Sequence, residues 1–507
     1  MRRRILVIAV SDDNYGDTAI RACFNALLKV AMENLRIVDY QIDNIAIDDI
    51  DEKRISEQDL VFFAGGGIIK YEYQLFYQHI DRITEIADTF GIPVFFSSVG
   101  VESYDDNNEK CIQLKNALRR KCVKGISVRD DLETIRKYIS GTSIKVSQVC
   151  DPAVWAQHVY NARRDESSQI IGINVVRGGL FKDNGKAWKK QDEMDFLLTI
   201  KALLEKNNHD YRFFTNGAFL DEVFLRDFIV SHSIPDKHVL RYINNSQKLV
   251  EEIGKFRAVI TFRLHASIIA YSMEIPSVAL AWNEKVTYFY RLVGLSDRVF
   301  AFDDWKGEEV FQRLNTVLNS CERIEHKDDF FMSVYESIYS AINQYCVKDA
   351  LGKRSIQMYS YPQIVQMLYD KREEMTIYND SDILAKIESG GRHYLSRIQE
   401  IRKRNSQIAR YKKETIGYQE SKKESEERIL NYEKKASSYR KRISNYKKRI
   451  SSYEERISSY EERISNYEAR ISDMKSQIDR LNHIFIIRCI HYAERKRGAI
   501  LRKLKGI

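Results

Sequence analysis

Residues 258–280 read AVITFRLHASIIAYSMEIPSVAL, and Arg263 and His265 interrupt an otherwise apolar run. A charged side chain in such a setting is costly unless it is paired or faces a cavity. Arginine presents a planar fork of donors that grips phosphate or carboxylate. Histidine is the side chain best suited to delivering a proton near neutral pH. If TFRLHAS closes a strand, period-two alternation sets Arg263 and His265 on one side, where both serve one ligand. For these two residues alone, a satisfied structural pair is the competing reading.

Three other stretches have the same character. In SDDNYGDTAI (11–20), Asn14, Gly16 and Asp17 fall where a helix should begin. Backbone N–H groups there hold an anion or sugar oxygens, while Asp17 either caps the helix or contacts substrate. In FFAGGGIIKY (62–71), Gly65, Gly66 and Gly67 let backbone approach a ligand or form a concave anion site. The run fits neither the phosphate loop of nucleotide triphosphatases nor the dinucleotide fingerprint. In GISVRDDLET (125–134), Arg129 and Asp130 close a short strand, and a buried salt bridge is the ordinary outcome for such a pair.

The elements that must position these residues are legible as short apolar runs at 5–10, 60–66, 93–100, 125–130, 170–176, 211–217, 258–262 and 276–282. Most are continuous rather than alternating, and helix-like segments such as 18–35, 74–91 and 192–206 separate them. Strands buried on both faces and divided by helices predict parallel sheets in an α/β fold. The series restarts after the polar stretch YNARRDESSQ (160–169). Two doubly wound, Rossmann-like domains are therefore expected, at 1–160 and 165–325, with a cleft facing the carboxyl ends of both sets of strands.

Beyond residue 300 the strand signal fades, and a helical region is expected over 326–400. A coiled coil over 401–482 rests on a strict heptad, with isoleucine at 443, 450, 457, 464, 471 and 478 and Tyr446, Tyr453, Tyr460, Tyr467, Met474 and Leu481 between them. Such a stripe predicts self-association into a homo-oligomer. Residues 483–507 mix apolar residues with seven Lys/Arg and one Glu. They read either as a basic amphipathic tail touching anionic lipid or as a solvated end to the coil.

The net charge of +9 is a property of this tail. Residues 401–507 hold 29 Lys+Arg against 14 Asp+Glu, leaving 52 against 58 for residues 1–400. With the excess set largely among heptad glutamates and no base-stacking platform, nucleic-acid binding is not expected. Seven scattered cysteines without a CxxC pair suit a reducing cytosol and offer no metal site. MRRRILVIAV imitates a secretory signal but runs at once into SDDNYGD, so a first β-strand is expected instead.

Taken together, NYGDTAI, AGGGIIKY, SVGVE, ISVRD, CDPAVW and FRLHASIIAYSMEIPSVALAWNEKV resemble the polysaccharide pyruvyl transferases, in the family's order and over roughly residues 1–300. The resemblance implies a glycosyltransferase-B-like arrangement of twin Rossmann-like domains. It also implies transfer of a pyruvyl group from phosphoenolpyruvate, with no further cofactor, to two hydroxyls of a sugar in a cell-surface polysaccharide or its lipid-linked precursor, forming a cyclic ketal. By the same resemblance His265 corresponds to the catalytic histidine, Arg263 to its phosphoenolpyruvate-binding partner and Asp17 to the motif aspartate. Arg129 and Arg177 rank after Arg263 as cations for the donor. Trp282 and Lys70 depart from the family pattern, which bears more on acceptor contacts than on donor contacts. A cytoplasmic enzyme, at the inner face of the membrane if the tail binds lipid, is the resulting expectation. A nucleotide-sugar glycosyltransferase of the same architecture and a coiled-coil scaffold with an idle body are the alternatives.

Overall fold

The computed structural model describes residues 2–371 apart from 11–13, 73, 179, 184–185, 242, 320–326 and 347–355. The coiled coil expected over 401–482 and the basic tail of 483–507 lie outside the described residues, as does most of the far end of the helical region.

Eleven strands are assigned among the described residues: β1 (Arg3–Ala9), β2 (Tyr40–Ala46), β3 (Leu60–Ala64), β4 (Val94–Val99), β5 (Val123–Val128), β6 (Lys145–Gln148), β7 (Ile170–Asn174), β8 (Asp210–Phe214), β9 (Ala258–Thr261), β10 (Ser277–Ala281) and β11 (Val299–Ala301). They form two sheets, ordered β2-β1-β3-β4-β5-β6 and β11-β10-β9-β7-β8. Every pairing is parallel. Helices connect the strands, as parallel neighbours require.

Continuous apolar runs arise because both faces of each sheet are covered. Along β1, Ile5 and Val7 join one buried cluster with the helix Tyr15–Asn34, while Leu6 and Ile8 join another with the helices Phe76–Phe90 and Glu109–Leu118. The pleat sends alternate side chains to opposite faces, so a strand covered on both sides must be apolar throughout. Leu60–Ala64 is buried at all five positions for the same reason.

In each sheet the strand order reverses beside the first strand of its half. The reversal falls between β1 and β3 in the first sheet and between β7 and β9 in the second. The loops leaving those strands on the carboxyl side therefore splay apart and leave a crevice, the usual ligand position in open α/β sheets. Residues 14–17 and 65–67 follow β1 and β3, while 175–177 and 262–265 follow β7 and β9.

The helices Lys327–Tyr345 and Tyr361–Asp370 pack back against the first sheet's side of the molecule. Ser337 Oγ lies 3.0 Å from Ser127 Oγ, Cys150 N donates to Ser333 Oγ, and Trp155 Nε1 donates to the Phe331 carbonyl. His158, Trp155, Phe331 and Tyr361 form an aromatic group at this junction. Burial holds the His158 imidazole down at about 4, so it is neutral there. Among the described residues no helix is long and apolar enough to cross a membrane.

Candidate functional site

The helix Tyr15–Asn34 begins at the crevice, and its cap is Asn14, whose Oδ1 accepts from Gly16 N at 3.0 Å. Asp17 is thus not the capping residue. It stands in the first turn, where a carboxylate is favoured by the exposed N–H groups. From there its Oδ1 lies 3.6 Å from Nδ1 of His265. Gly16 makes the approach possible: a Cβ on it would sit 2.5 Å from the His265 Cβ and 2.7 Å from Nδ1. The backbone of Tyr15 also donates to the Asn216 carbonyl at 3.0 Å, tying this turn to the loop after β8.

His265 does not lie on a strand. β9 stops at Thr261, Arg263 is the N-cap of the helix Leu264–Ser272, and His265 occupies that helix's first turn. The two side chains consequently diverge instead of sharing one face by period-two alternation. Arg263 donates from Nε and Nη2 to the two oxygens of Asp221, at 2.9 and 2.7 Å. Asp221 is fully buried and also accepts from the backbone N–H of Arg177. Arg263 and Arg177 thus gather around an aspartate of the second sheet's side, whereas His265 turns toward the first.

There it meets Arg129. Nη1 of Arg129 is 3.4 Å from Nε2 of His265 and is also paired with Oδ2 of Asp151, all three side chains being buried. Asp151 is fixed as the cap of a short 3-10 turn, its Oδ1 accepting from Ala153 N at 2.8 Å. Asp130 does not pair with its neighbour by a direct bond. Its Oδ1 accepts from the backbone N–H groups of Val101 and Asp131. Burial pushes the Asp130 carboxyl up to about 6, against the pull of Arg129.

The electrostatics are those of a dry, mixed-charge crevice. Burial lowers the His265 imidazole, Asp17 and Asp151 pull it back up, and Arg129 and Lys285 push it further down. Burial also lowers Lys285, the charge of Glu102 raising it and those of Lys70 and Arg129 lowering it. Burial disfavours the charge on Arg129 as well, but Asp151, Asp130 and Asp17 together hold it above its ordinary value. Arg129 touches the histidine, and the charge of Lys285, from the helix Glu284–Leu292, lowers it as well.

The glycine run reaches these charged groups at Gly67 only, since Gly65 lies against Ile20 and Gly66 against Val10. Gly65 and Gly66 adopt left-handed φ values of 62° and 76°, which side chains rarely accept, and turn the chain sharply after β3. Gly67 faces the charged groups, since a Cβ on it would lie 3.2 Å from Glu102 Oε1 and 4.0 Å from Arg129 Nη2.

The crevice therefore brings together Asp17, Gly16, Gly67, Arg129 and His265, and leaves Arg263 and Arg177 in a neighbouring cluster with Asp221. Sequence reasoning passed over Asp151, Lys285, Glu102 and Asp221. The first three lie in stretches already singled out, namely CDPAVW, NEKV and SVGVE, each just past the carboxyl end of a strand. Asp221 lies inside a helix and carries no local mark. Among the described residues no group of three His, Cys, Asp or Glu side chains is placed to hold a metal ion.

A buried imidazole beside an arginine can pass a proton to an anion that the arginine holds. The family model for polysaccharide pyruvyl transferase matches residues 14–284, a span holding Gly16, Asp17, Gly67, Arg129 and His265. No curated protein matches the chain. Among solved structures, the chain is similar to the UDP-GlcNAc 2-epimerase of Methanocaldococcus jannaschii, with a TM-score of 0.44, 12% identity and coverage of 67% of this chain and 99% of that one. A glycosyltransferase from Rickettsia africae gives a TM-score of 0.34 at 10% identity, covering 75% of this chain and 100% of that one. A putative UDP-N-acetylglucosamine 2-epimerase from Listeria monocytogenes gives 0.43 at 9% identity, covering 74% and 98%.

Proposed function

The chain belongs to the polysaccharide pyruvyl transferase family, and from that premise we propose that it moves a pyruvyl group from phosphoenolpyruvate to two hydroxyls of one sugar in a cell-surface polysaccharide or its lipid-linked precursor. The observation that carries this reading is the contact of Arg129 with His265 across the crevice, with Asp17 on the other side of the imidazole. A donor bearing phosphate and carboxylate on one carbon needs a cation to hold it and a proton source beside that carbon.

In the reaction, protonated His265 gives its proton to the methylene carbon of phosphoenolpyruvate, which leaves C2 electron-poor. One sugar hydroxyl adds to C2, the bond from C2 to the phosphate oxygen breaks, and a second hydroxyl of the same sugar adds to C2 to close the ketal. Of the two protons released by the hydroxyls, one restores His265 and the other leaves with phosphate. Arg129 and Lys285 hold the donor's negative charge while it shifts to the departing phosphate. Asp17 orients the imidazole through Nδ1. Arg263, with its fork on Asp221, fixes the start of the helix that carries His265.

Residues 401–507 extend the proposal: their heptads would bring several copies together, and the basic end would hold them near anionic lipid where a lipid-linked acceptor resides. Incubation of the purified chain with phosphoenolpyruvate and a polysaccharide fraction from its source cells tests the core reading through phosphate release. Turnover of a nucleotide sugar instead, with no phosphate released from phosphoenolpyruvate, would sink it.

A further inference from the structure

The carboxylates around the crevice are nearly all committed to neighbours. Asp17 faces His265, Asp151 holds Arg129, and Asp130 accepts from two backbone N–H groups. Glu102 differs. Its side chain is 41% exposed and accepts no hydrogen bond among the described residues, its nearest cation being Lys70 Nζ at 3.9 Å. A single ion pair so exposed contributes little to stability, so the fold gains little from an acid at this position.

The backbone beneath Glu102 is nevertheless tightly fixed. Glu102 N donates to the Ile69 carbonyl at 2.9 Å, and Ile69 N donates to the Gly100 carbonyl at 3.1 Å, joining the segment to the glycine run. The segment is entered through Ser98 and left through Ser103, at φ values of 55° and 49°. Non-glycine residues hold such angles only where their surroundings impose them, and such positions gather at binding sites. Lys70 is in turn steadied over the Phe76 ring, 5.2 Å from its centroid. Gly67 leaves open the space between Glu102 Oε1 and Arg129 Nη2, both within 4.0 Å of where its Cβ would be.

We propose that Glu102, oriented by Lys70, is the acceptor-binding carboxylate, receiving hydrogen bonds from two neighbouring hydroxyls of a neutral sugar and setting them against the carbon held at Arg129 and His265. The proposal rests on the pyruvyl-transfer reading. A ketal needs two hydroxyls within reach of one carbon, and a carboxylate has two oxygens that accept from such a pair at once. A sugar acid would set its own carboxylate against that of Glu102, which favours a neutral residue as acceptor.

The test uses the full chain with phosphoenolpyruvate and the polysaccharide fraction of its source cells, following phosphate release while each substrate is varied in turn. Glu102→Gln should raise the half-saturating acceptor concentration about tenfold or more, as expected for loss of charge-assisted hydrogen bonds. The KM for phosphoenolpyruvate should stay within about twofold, and Glu102→Asp should recover part of the acceptor affinity. An unchanged acceptor dependence, or an equal rise for both substrates, overturns the proposal. So does loss of calorimetric phosphoenolpyruvate binding by Glu102→Gln, which would place Glu102 with the donor. A wild-type chain that releases no phosphate refutes the pyruvyl-transfer reading itself, and this proposal with it.

Discussion

Nη1 of Arg129 lies 3.4 Å from Nε2 of His265, joining the loop after β5 to the helix after β9. A guanidinium nitrogen only donates, so Nε2 accepts at this contact and the imidazole carries its hydrogen on Nδ1, toward Asp17. The resting site therefore holds a neutral histidine, and the donor's negative charge is what favours the second proton.

This sets the pH dependence of turnover. Burial holds the His265 imidazole below its ordinary value of 6.5, with Arg129 and Lys285 acting in the same direction and Asp17 and Asp151 against it. The protonated fraction in the free enzyme thus grows as pH falls through and below that value. kcat/KM should rise as pH is lowered from about 8 to about 6, and Asp17→Asn should move the limb to still lower pH by removing a charge that favours the imidazolium. A pH–rate series on the two proteins reads this directly, and a limb that moves upward in Asp17→Asn would remove Asp17 from the role.

Gly16→Ala should abolish most activity while leaving the fold intact. The added methyl would sit 2.5 Å from the His265 Cβ, so the imidazole or the helix turn must move by about 1 Å to restore ordinary carbon–carbon contact. Misplacement on the order of 1 Å at a reacting group costs about 100-fold in rate. Circular dichroism should be unchanged, with kcat reduced by about that factor. Full activity in the variant would show that the close approach of Gly16 to His265 is not used in turnover.

The strands that build the site could be read in the sequence because burial on both faces leaves an unbroken apolar run. All eight expected runs are strands, from ILVIAV to PSVALA. β2, β6 and β11 are not legible because each is an edge strand whose residues are mostly exposed or part-exposed, so polar residues break the apolar run, whereas the edge strand β8 keeps Tyr211, Phe213 and Phe214 buried. His265 and Asp17 could be found as chemically capable residues beside strand ends. Their pairing across the crevice, and the capture of Arg263 by Asp221, depend on tertiary placement that no local spacing encodes. The expectation for Arg263 and His265 failed at one point: the chain turns into a helix after Thr261, which replaces period two by a rotation of about 100° per residue.

Glu193 supplies a stability signature in the second cluster. It is fully buried with neither carboxyl oxygen hydrogen-bonded, and burial, reinforced by Asp221, pushes it up to about 9. In the unfolded chain the group ionises near its ordinary value of 4.5. Between those limits the folded state keeps a proton that the unfolded state releases, so stability falls as pH rises. Glu193→Gln should remove this slope, raising Tm by several degrees at about pH 9 and far less at about pH 5. Parallel Tm–pH curves for wild type and variant would contradict the assignment.

Asp221 holds Arg263 by two bonds in a site without water access to the carboxylate, so removing its charge takes this ion pair from a largely buried guanidinium. Asp221→Asn retains an oxygen for the Arg177 N–H, which isolates the effect of charge. Loss of one partner from such a pair costs about 3 kcal/mol or more, enough to lower Tm by several degrees. Arg263→Met leaves Asp221 unpaired and should cost a similar amount. The two changes share one interaction, so the double variant should lose less than the sum of the single losses, by about 1 kcal/mol or more. Denaturant titration of the four proteins measures that difference, and strict additivity would mean that Asp221 does not anchor Arg263 in solution.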